Sequence, residues 1–158
     1  MRILERLNLP FSVRNYDVRP EELGARHVAD AIGIPVDQVY KTIVCRGDRT
    51  GVFFSVLAGD QELDLKAVAK LTGNRRVEVV PLKEVQPLTG YVRGGCTAIA
   101  AKKNYPVFVD ESVNRHAEIA VSAGVRGTQI VLTPDDYVNV THAITGPIAV
   151  RKREADGT

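Results

Sequence analysis

Apolar positions recur along the chain with two periods, and the switches between them outline the elements. Ile3, Leu4 and Leu7 share one face of a short helix over residues 2 to 8, stopped by Asn8 and Pro10; residues 11 to 16 then alternate as a strand does. After a polar link over 17 to 22, residues 23 to 32 place Leu23, Val28, Ala31 and Ile32 on one helical stripe ended by Gly33. β-Branched and aromatic residues fill 39 to 45 and 52 to 57, and Gly47-Asp48-Arg49-Thr50-Gly51 between them is a hairpin signal, so these strands are expected to pair antiparallel. Asp64 is placed to cap a helix over 65 to 71 with Leu65, Val68 and Ala69 inward. Residues 77 to 80 read as a strand and 81 to 85 as a helical turn. Residues 106 to 109 and 129 to 132 read as strands, with a helical stretch at 112 to 117 and a tight turn at 123 to 127 between them. Thr133-Pro134-Asp135-Asp136 starts a last helix that fades by His142. Short strands and hairpins among four or five short helices predict an α+β domain over residues 1 to 147 with a mixed sheet, open or closed as a barrel. Residues 148 to 158 read as a flexible tail, because Arg151-Lys152-Arg153-Glu154 has nothing apolar to dock.

One position breaks this pattern. Lys41 falls on the strand face of Val39, Ile43 and Cys45, which is otherwise apolar. A buried ammonium must find acceptors or lose its proton, so the position points to a functional cleft; an edge-strand guard or a stem snorkelling from a barrel mouth would give the same pattern.

With 158 residues, 44% hydrophobic and 25% charged, the chain can fill one core and needs no second domain. Charge is interspersed in the first apolar segment, so neither a signal peptide nor a membrane span is expected and the chain is assigned to the cytoplasm. Cys45 and Cys96 are 51 positions apart, and His27, His116 and His142 are equally scattered, which suits separate reduced thiols and no metal site.

The formal net charge is only +2, but its distribution is uneven. Residues 66 to 103 hold 8 basic side chains (Lys66, Lys70, Arg75, Arg76, Lys83, Arg93, Lys102 and Lys103) against Glu78 and Glu84, a balance of +6, which leaves −4 for the remainder. Such a segment suits a polyanion partner; a solvated face on two helices and a loop is the plainer reading. Within it, the stretch 89 to 98 is rich in loop signals, and its glycines let backbone amides approach a ligand closely.

Five blocks in this order, Val39-Tyr40-Lys41-Thr42-Ile43, residues 62 to 70, Thr89-Gly90-Tyr91-Val92-Arg93-Gly94-Gly95, Lys102-Lys103 and Ser122-Ala123-Gly124-Val125-Arg126-Gly127, resemble the YbaK family of aminoacyl-tRNA deacylases over about residues 1 to 147. The family is similar to the editing domain of bacterial prolyl-tRNA synthetases. The resemblance implies a mixed, largely antiparallel β-barrel-like sheet surrounded by short helices. It also implies hydrolysis of the ester joining a wrong amino acid to tRNA, most directly Cys-tRNA(Pro), without a cofactor.

Carried over by residue, Lys41 matches the family's essential lysine, with Gly94 and Gly95 opening its catalytic glycine loop. Tyr16, Leu23, Thr42, Cys96, Thr97, Ala98, Ser122, Gly124 and Gln129 fall on pocket positions. Leu23 replaces an aromatic residue, Ala98 the loop proline and Gln129 an acidic residue of the type member; these departures bear on which amino acid is taken. Lys66, Lys70, Arg75, Arg76, Lys102 and Lys103 are the expected contacts to tRNA, whose terminal adenosine enters the pocket. Prolyl-tRNA synthetase is the expected companion.

No GxSxG elbow, HExxH motif or paired carboxylates supply a nucleophile with its base. An aminoacyl ester is already activated, so positioning and carbonyl polarisation suffice, and the attacking group is water or the substrate's own side chain. Cys96 as a nucleophile and Tyr16 as a proton donor stand against plain packing roles for both, and Arg126 against a turn cap. A non-catalytic tRNA- or synthetase-binding module of the same fold, and a deacylase for another small amino acid such as Ala, are the alternatives.

Overall fold

The computed structural model describes residues 2–19, 24–92, 95–99, 101 and 103–151. Its centre is the expected hairpin. Strands β2 (Tyr40–Gly47) and β3 (Gly51–Ala58) pair antiparallel along their whole length, from Tyr40 opposite Ala58 to Gly47 opposite Gly51. Gly51 sits at φ +74°, a left-handed position that glycine adopts without cost. Buried Asn74 latches the turn by accepting hydrogen bonds from the Arg49 and Thr50 amides at 2.8 and 3.0 Å. A Cβ at Gly47 would collide with the Asn74 amide.

Around this hairpin a five-stranded sheet forms in the order β5 (Val77–Val79), β2, β3, β6 (Val107–Asp110), β9 (Ile144–Gly146), in which β3–β6 and β6–β9 are parallel. Strands β1 (Ser12–Asn15), β8 (Thr128–Leu132) and β7 (Ile119–Ser122) make an antiparallel second sheet in that order. A two-stranded ribbon pairs β4 (Gln61–Leu63) with β10 (Ala149–Arg151). The α-helices are α1 (Arg2–Arg6), α2 (Ala25–Ile32), α3 (Leu65–Thr72), α4 (Leu82–Thr89) and α5 (Pro134–Thr141). The α+β class and the mixed, largely antiparallel pairing match the expectation. The barrel-like closure does not: the sheets stay separate, and an isolated bridge between Val39 and Ala120 links the first to the second.

Both faces of the central hairpin are buried, which explains its nearly continuous apolar run. Tyr40, Val44, Phe54 and Val56 join Leu4, Ile119, Ile130, Leu132 and Tyr137 in the main core. On the opposite face Cys45 and Phe53 pack with Phe108, Val68 and Ile148, the two phenyl rings meeting edge to face at 5.4 Å.

Several local expectations are corrected. Leu65, the first residue of α3, is 39% exposed, and Val68 and Ala69 carry the inward face. On α2 the inward pair is Val28 and Ala29, with Ala31 exposed. The stretch expected at 112 to 117 is a 3-10 helix over Glu111–Arg115. Helix α4 continues through Pro87 to Thr89, because Val85 and Thr89 are buried and the Thr89 hydroxyl donates to the Val85 carbonyl at 2.7 Å.

The ordered chain also runs past the boundary expected at residue 147. Ile148 is fully buried, and Asp110 Oδ1 accepts hydrogen bonds from the Ile148 and Ala149 amides at 3.0 and 3.1 Å. Burial of such a side chain contributes roughly 1.5–3 kcal/mol, which an otherwise polar terminus gives no hint of. Residues 152 to 158 of the expected tail lie outside the described residues.

Candidate functional site

A gap in strand pairing creates the site. Strand β5 covers β2 only from Cys45 to Gly47, and the second sheet bridges the chain at Val39, just before β2, so no strand among the described residues flanks Lys41–Ile43 on that side. The space left is a cavity of about 980 Å³, walled by β2, the start of α2, the Gly59–Asp60 turn, Ser122 and Gln129 of the second sheet, and Cys96.

Lys41 projects on the strand face of Ile43 and Cys45, as its register predicts, and lines this cavity. Its half-buried ammonium donates to the Gln61 carbonyl at 2.8 Å and the Gly59 carbonyl at 3.3 Å. Those acceptors hold the charge at the wall. Thr42, also on the cavity wall, is the polar neighbour of Tyr137; burial raises the Tyr137 phenol above its ordinary value and Thr42 opposes the shift.

Across the cavity, Ser122 and Gln129 are directly opposed in the β7–β8 ladder, so their side chains share a face. The Ser122 hydroxyl oxygen accepts the Gly124 amide at 3.1 Å. Gly124 has φ +103°, a conformation that disfavours any side chain, and a Cβ there would lie 3.4 Å from the Tyr91 ring. Gln129 is only 4% exposed, yet its Oε1 has no hydrogen-bond partner among the described residues. A buried amide oxygen without a donor costs about 1–3 kcal/mol, a cost that a donor entering the cavity would remove.

Cys96 lines the cavity, but burial pushes its thiol up, with Thr89 opposing, and no histidine shares the wall among the described residues. A neutral thiol without a base is a packing group, which disfavours the nucleophile reading. Tyr16 is half-buried against the cluster of Val28, Ala29, Val39, Ala120 and Val131 and is absent from the wall, in keeping with its packing role. Thr97 and Ala98 are buried behind Cys96: Ala98 packs in the main core, and the Thr97 hydroxyl accepts the Ile99 amide at 3.2 Å. Gly95 is buried against the Val125–Arg126 turn, where a Cβ would stand 3.5 Å from the Arg126 nitrogen. Leu23, Gly94 and Lys102 lie outside the described residues.

The expected polyanion contacts divide. Lys66, Arg75 and Arg76 line a second groove of about 500 Å³ together with Arg46, Asp48 and Glu78. Arg46 is neutralised there by Glu84 at 2.9 Å and Glu78 at 3.3 Å. The Asp48 carboxylate is held below its ordinary range by the Arg76 and Arg75 amides it accepts. Lys70 and Lys103 are exposed but lie outside both grooves.

Residue-by-residue reading missed Arg26, Asp60, Val79, Leu82 and Arg151, all of which line the cavity. Arg26 stands in the first turn of α2, whose N-cap Gly24 has no side chain to satisfy the first amides, so this end of the helix favours an anion.

The fold is an α+β scaffold of a five-stranded sheet, a three-stranded sheet and a two-stranded ribbon. It is shared with a crystal structure described as a candidate trans-editing enzyme for prolyl tRNA synthetase, at TM-score 0.78 and 24% identity over 89% of this chain and 87% of that one. The chain belongs to the aminoacyl-tRNA editing domain family, whose model matches residues 20–140. It is 38% identical over 152 residues to a candidate Cys-tRNA(Pro)/Cys-tRNA(Cys) deacylase, EbsC, of Enterococcus faecalis (strain ATCC 700802 / V583), covering 96% of this chain and 93% of that protein. It is 29% identical to the multifunctional Ser/Thr-tRNA deacylase ProXp-y of Escherichia coli (strain K12), over 72% of this chain and 70% of the relative.

Proposed function

We propose that the protein is a trans-editing deacylase that hydrolyses the ester of a mischarged tRNA, with Cys-tRNA(Pro) as its leading substrate. The observation that carries this reading is the convergence of Lys41, Ser122 and the unpartnered Gln129 on one cavity. The name of the relative that is 38% identical and nearly equal in span supports the choice of cysteine.

In this reading the terminal adenosine enters over the Gly59–Asp60 turn, and Lys41 meets its phosphate or the ester oxygens. Gln129 Oε1 accepts a hydrogen from the substrate's ammonium, which removes the cost of its own burial. The Gly95 amide is already donated to the Val92 carbonyl at 2.9 Å, so polarisation of the ester carbonyl falls to the Cys96 amide at the cavity wall. With Cys96 neutral, the attacking group belongs to the substrate or to water. For a cysteinyl ester, the substrate sulfur bonds to the carbonyl carbon, the bond to the ribose oxygen breaks, the thiol proton ends on that oxygen, and one water then opens the released cyclic thioester to free cysteine. The reaction thus needs no enzyme base.

Lys66, Arg75 and Arg76 are assigned to the tRNA backbone, and prolyl-tRNA synthetase is the proposed companion that delivers the substrate. Incubation with tRNA(Pro) charged with Cys, Ala or Pro tests the reading. Fast loss of Cys with Pro retained supports it, and loss of Ala alone would reassign the amino acid. If no ester is lost faster than in buffer while tRNA still binds, the protein is a binding module.

A further inference from the structure

The end of β10 carries an arginine that composition places in a tail and tertiary structure places at the cavity. Arg151 stands opposite Gln61 in the β10–β4 ribbon, and the carbonyl of Gln61 is the acceptor that holds Lys41 at 2.8 Å. The ribbon is oriented by alternation. Ala149, two residues earlier and therefore on the same face as Arg151, lies opposite Leu63, which packs inward against the Cys45–Phe53 core. Arg151 thus leaves the strand on its inner face, where it lines the cavity. The position is anchored from below: Asp64 donates its amide to the Ile148 carbonyl at 2.9 Å, and Asp110 holds the Ile148 and Ala149 amides.

Among the described residues, Arg26 and Arg151 line this wall together with Lys41 and Asp60, and no carboxylate forms an ion pair with Arg151. A planar guanidinium offers two parallel donors that match two phosphate oxygens, which a lysine cannot do.

We propose that Arg151 is a phosphate ligand at the cavity mouth, gripping a phosphodiester of the single-stranded acceptor end while Lys41 holds the acylated terminus. The proposal rests on the deacylase reading and adds to it a backbone contact from a separate element. The Arg151 backbone and the Lys41 ammonium meet at the same residue, Gln61, so both cations project from one end of the β10–β4 ribbon.

The test uses the full chain carrying Arg151→Ala, Arg151→Gln or Arg151→Lys, with folding checked by thermal denaturation. Two substrates are compared: tRNA(Pro) mischarged with Cys, and cysteinyl adenosine esterified at its ribose, which has no phosphate. On the tRNA, Arg151→Ala and Arg151→Gln are expected to raise KM about tenfold with kcat kept, and to lower the slope of log affinity against log salt by about 1. Arg151→Lys recovers part of the loss. On the phosphate-free ester all variants match the unaltered protein. Unchanged KM and salt slope on tRNA, or an equal loss on both substrates, overturns the proposal. If the unaltered protein binds tRNA without hydrolysing it, the deacylase reading fails, and the salt slope of binding still decides the role of Arg151.

Discussion

Lys41 Nζ and the Gln61 carbonyl oxygen, 2.8 Å apart, join the central strand β2 to the first residue of β4. The bond holds the ammonium at the wall of the cavity that Ser122 and Gln129 also line and couples it to the β10–β4 ribbon.

Lys41→Ala is expected to lower kcat/KM for the mischarged tRNA by at least ~100-fold, as removal of a group that stabilises developing charge does. The freed carbonyls of Gly59 and Gln61 lie at a cavity where water can replace the ammonium, so the loss of stability stays near ~1 kcal/mol. A chemical denaturation curve beside the rate measurement checks both. Loss of folding in proportion to loss of rate would make the lysine structural.

Gln129→Leu separates function from stability. Removing a buried oxygen that lacks a donor is neutral or stabilising by up to ~1–2 kcal/mol, whereas loss of the ammonium acceptor costs about tenfold in kcat/KM. Gln129→Glu buries a carboxylate and is expected to destabilise the free protein by about 2–3 kcal/mol. Melting temperature and single-substrate kinetics on the three proteins give the answer, and a destabilised Leu variant would show that the amide is already satisfied.

Affinity for tRNA is expected to fall steeply with salt. The combined replacement of Lys66, Arg75 and Arg76 by Ala lowers the salt slope by about 2–3, because each phosphate left without its cation keeps its counterion on binding. A slope equal to that of the unaltered protein would assign the second groove to solvent.

Alkaline titration reports on the core beside the site. Burial pushes the Tyr40 phenol up to about 12, with the Ser112 hydroxyl at 2.7 Å opposing the shift. In the unfolded chain the phenol ionises near its ordinary value of 10.0, so above that pH the unfolded state releases its proton first. The Tyr40 contribution is therefore whole below pH 10 and is lost as pH rises toward about 12, by roughly 2–3 kcal/mol. Tyr40→Phe should be less steep than the unaltered protein over that window in urea denaturation. Parallel curves would refute the assignment.

Local pattern alone determined much of this molecule. Alternation placed Lys41 on the face of Ile43 and Cys45, Gly47 to Gly51 set the hairpin, Asp64 capped α3, and the ordered blocks around Lys41 and Ser122 carried the family resemblance. Such features depend on neighbours a few residues away, so they are written in the spacing of side chains. Tertiary structure decided the rest. Strands β4, β9 and β10 are three residues each and have little pattern of their own; Asp110, nearly forty residues earlier, holds the start of β10, and β6 pairs β9 in parallel. The same long-range pairing left β2, among the described residues, without a strand on one side of Lys41, opened the cavity there, turned Thr97 and Ala98 into core and brought Arg151 to the wall. Which edge of a sheet stays open is a property of how whole strands compete for partners, and no window of sequence contains that competition.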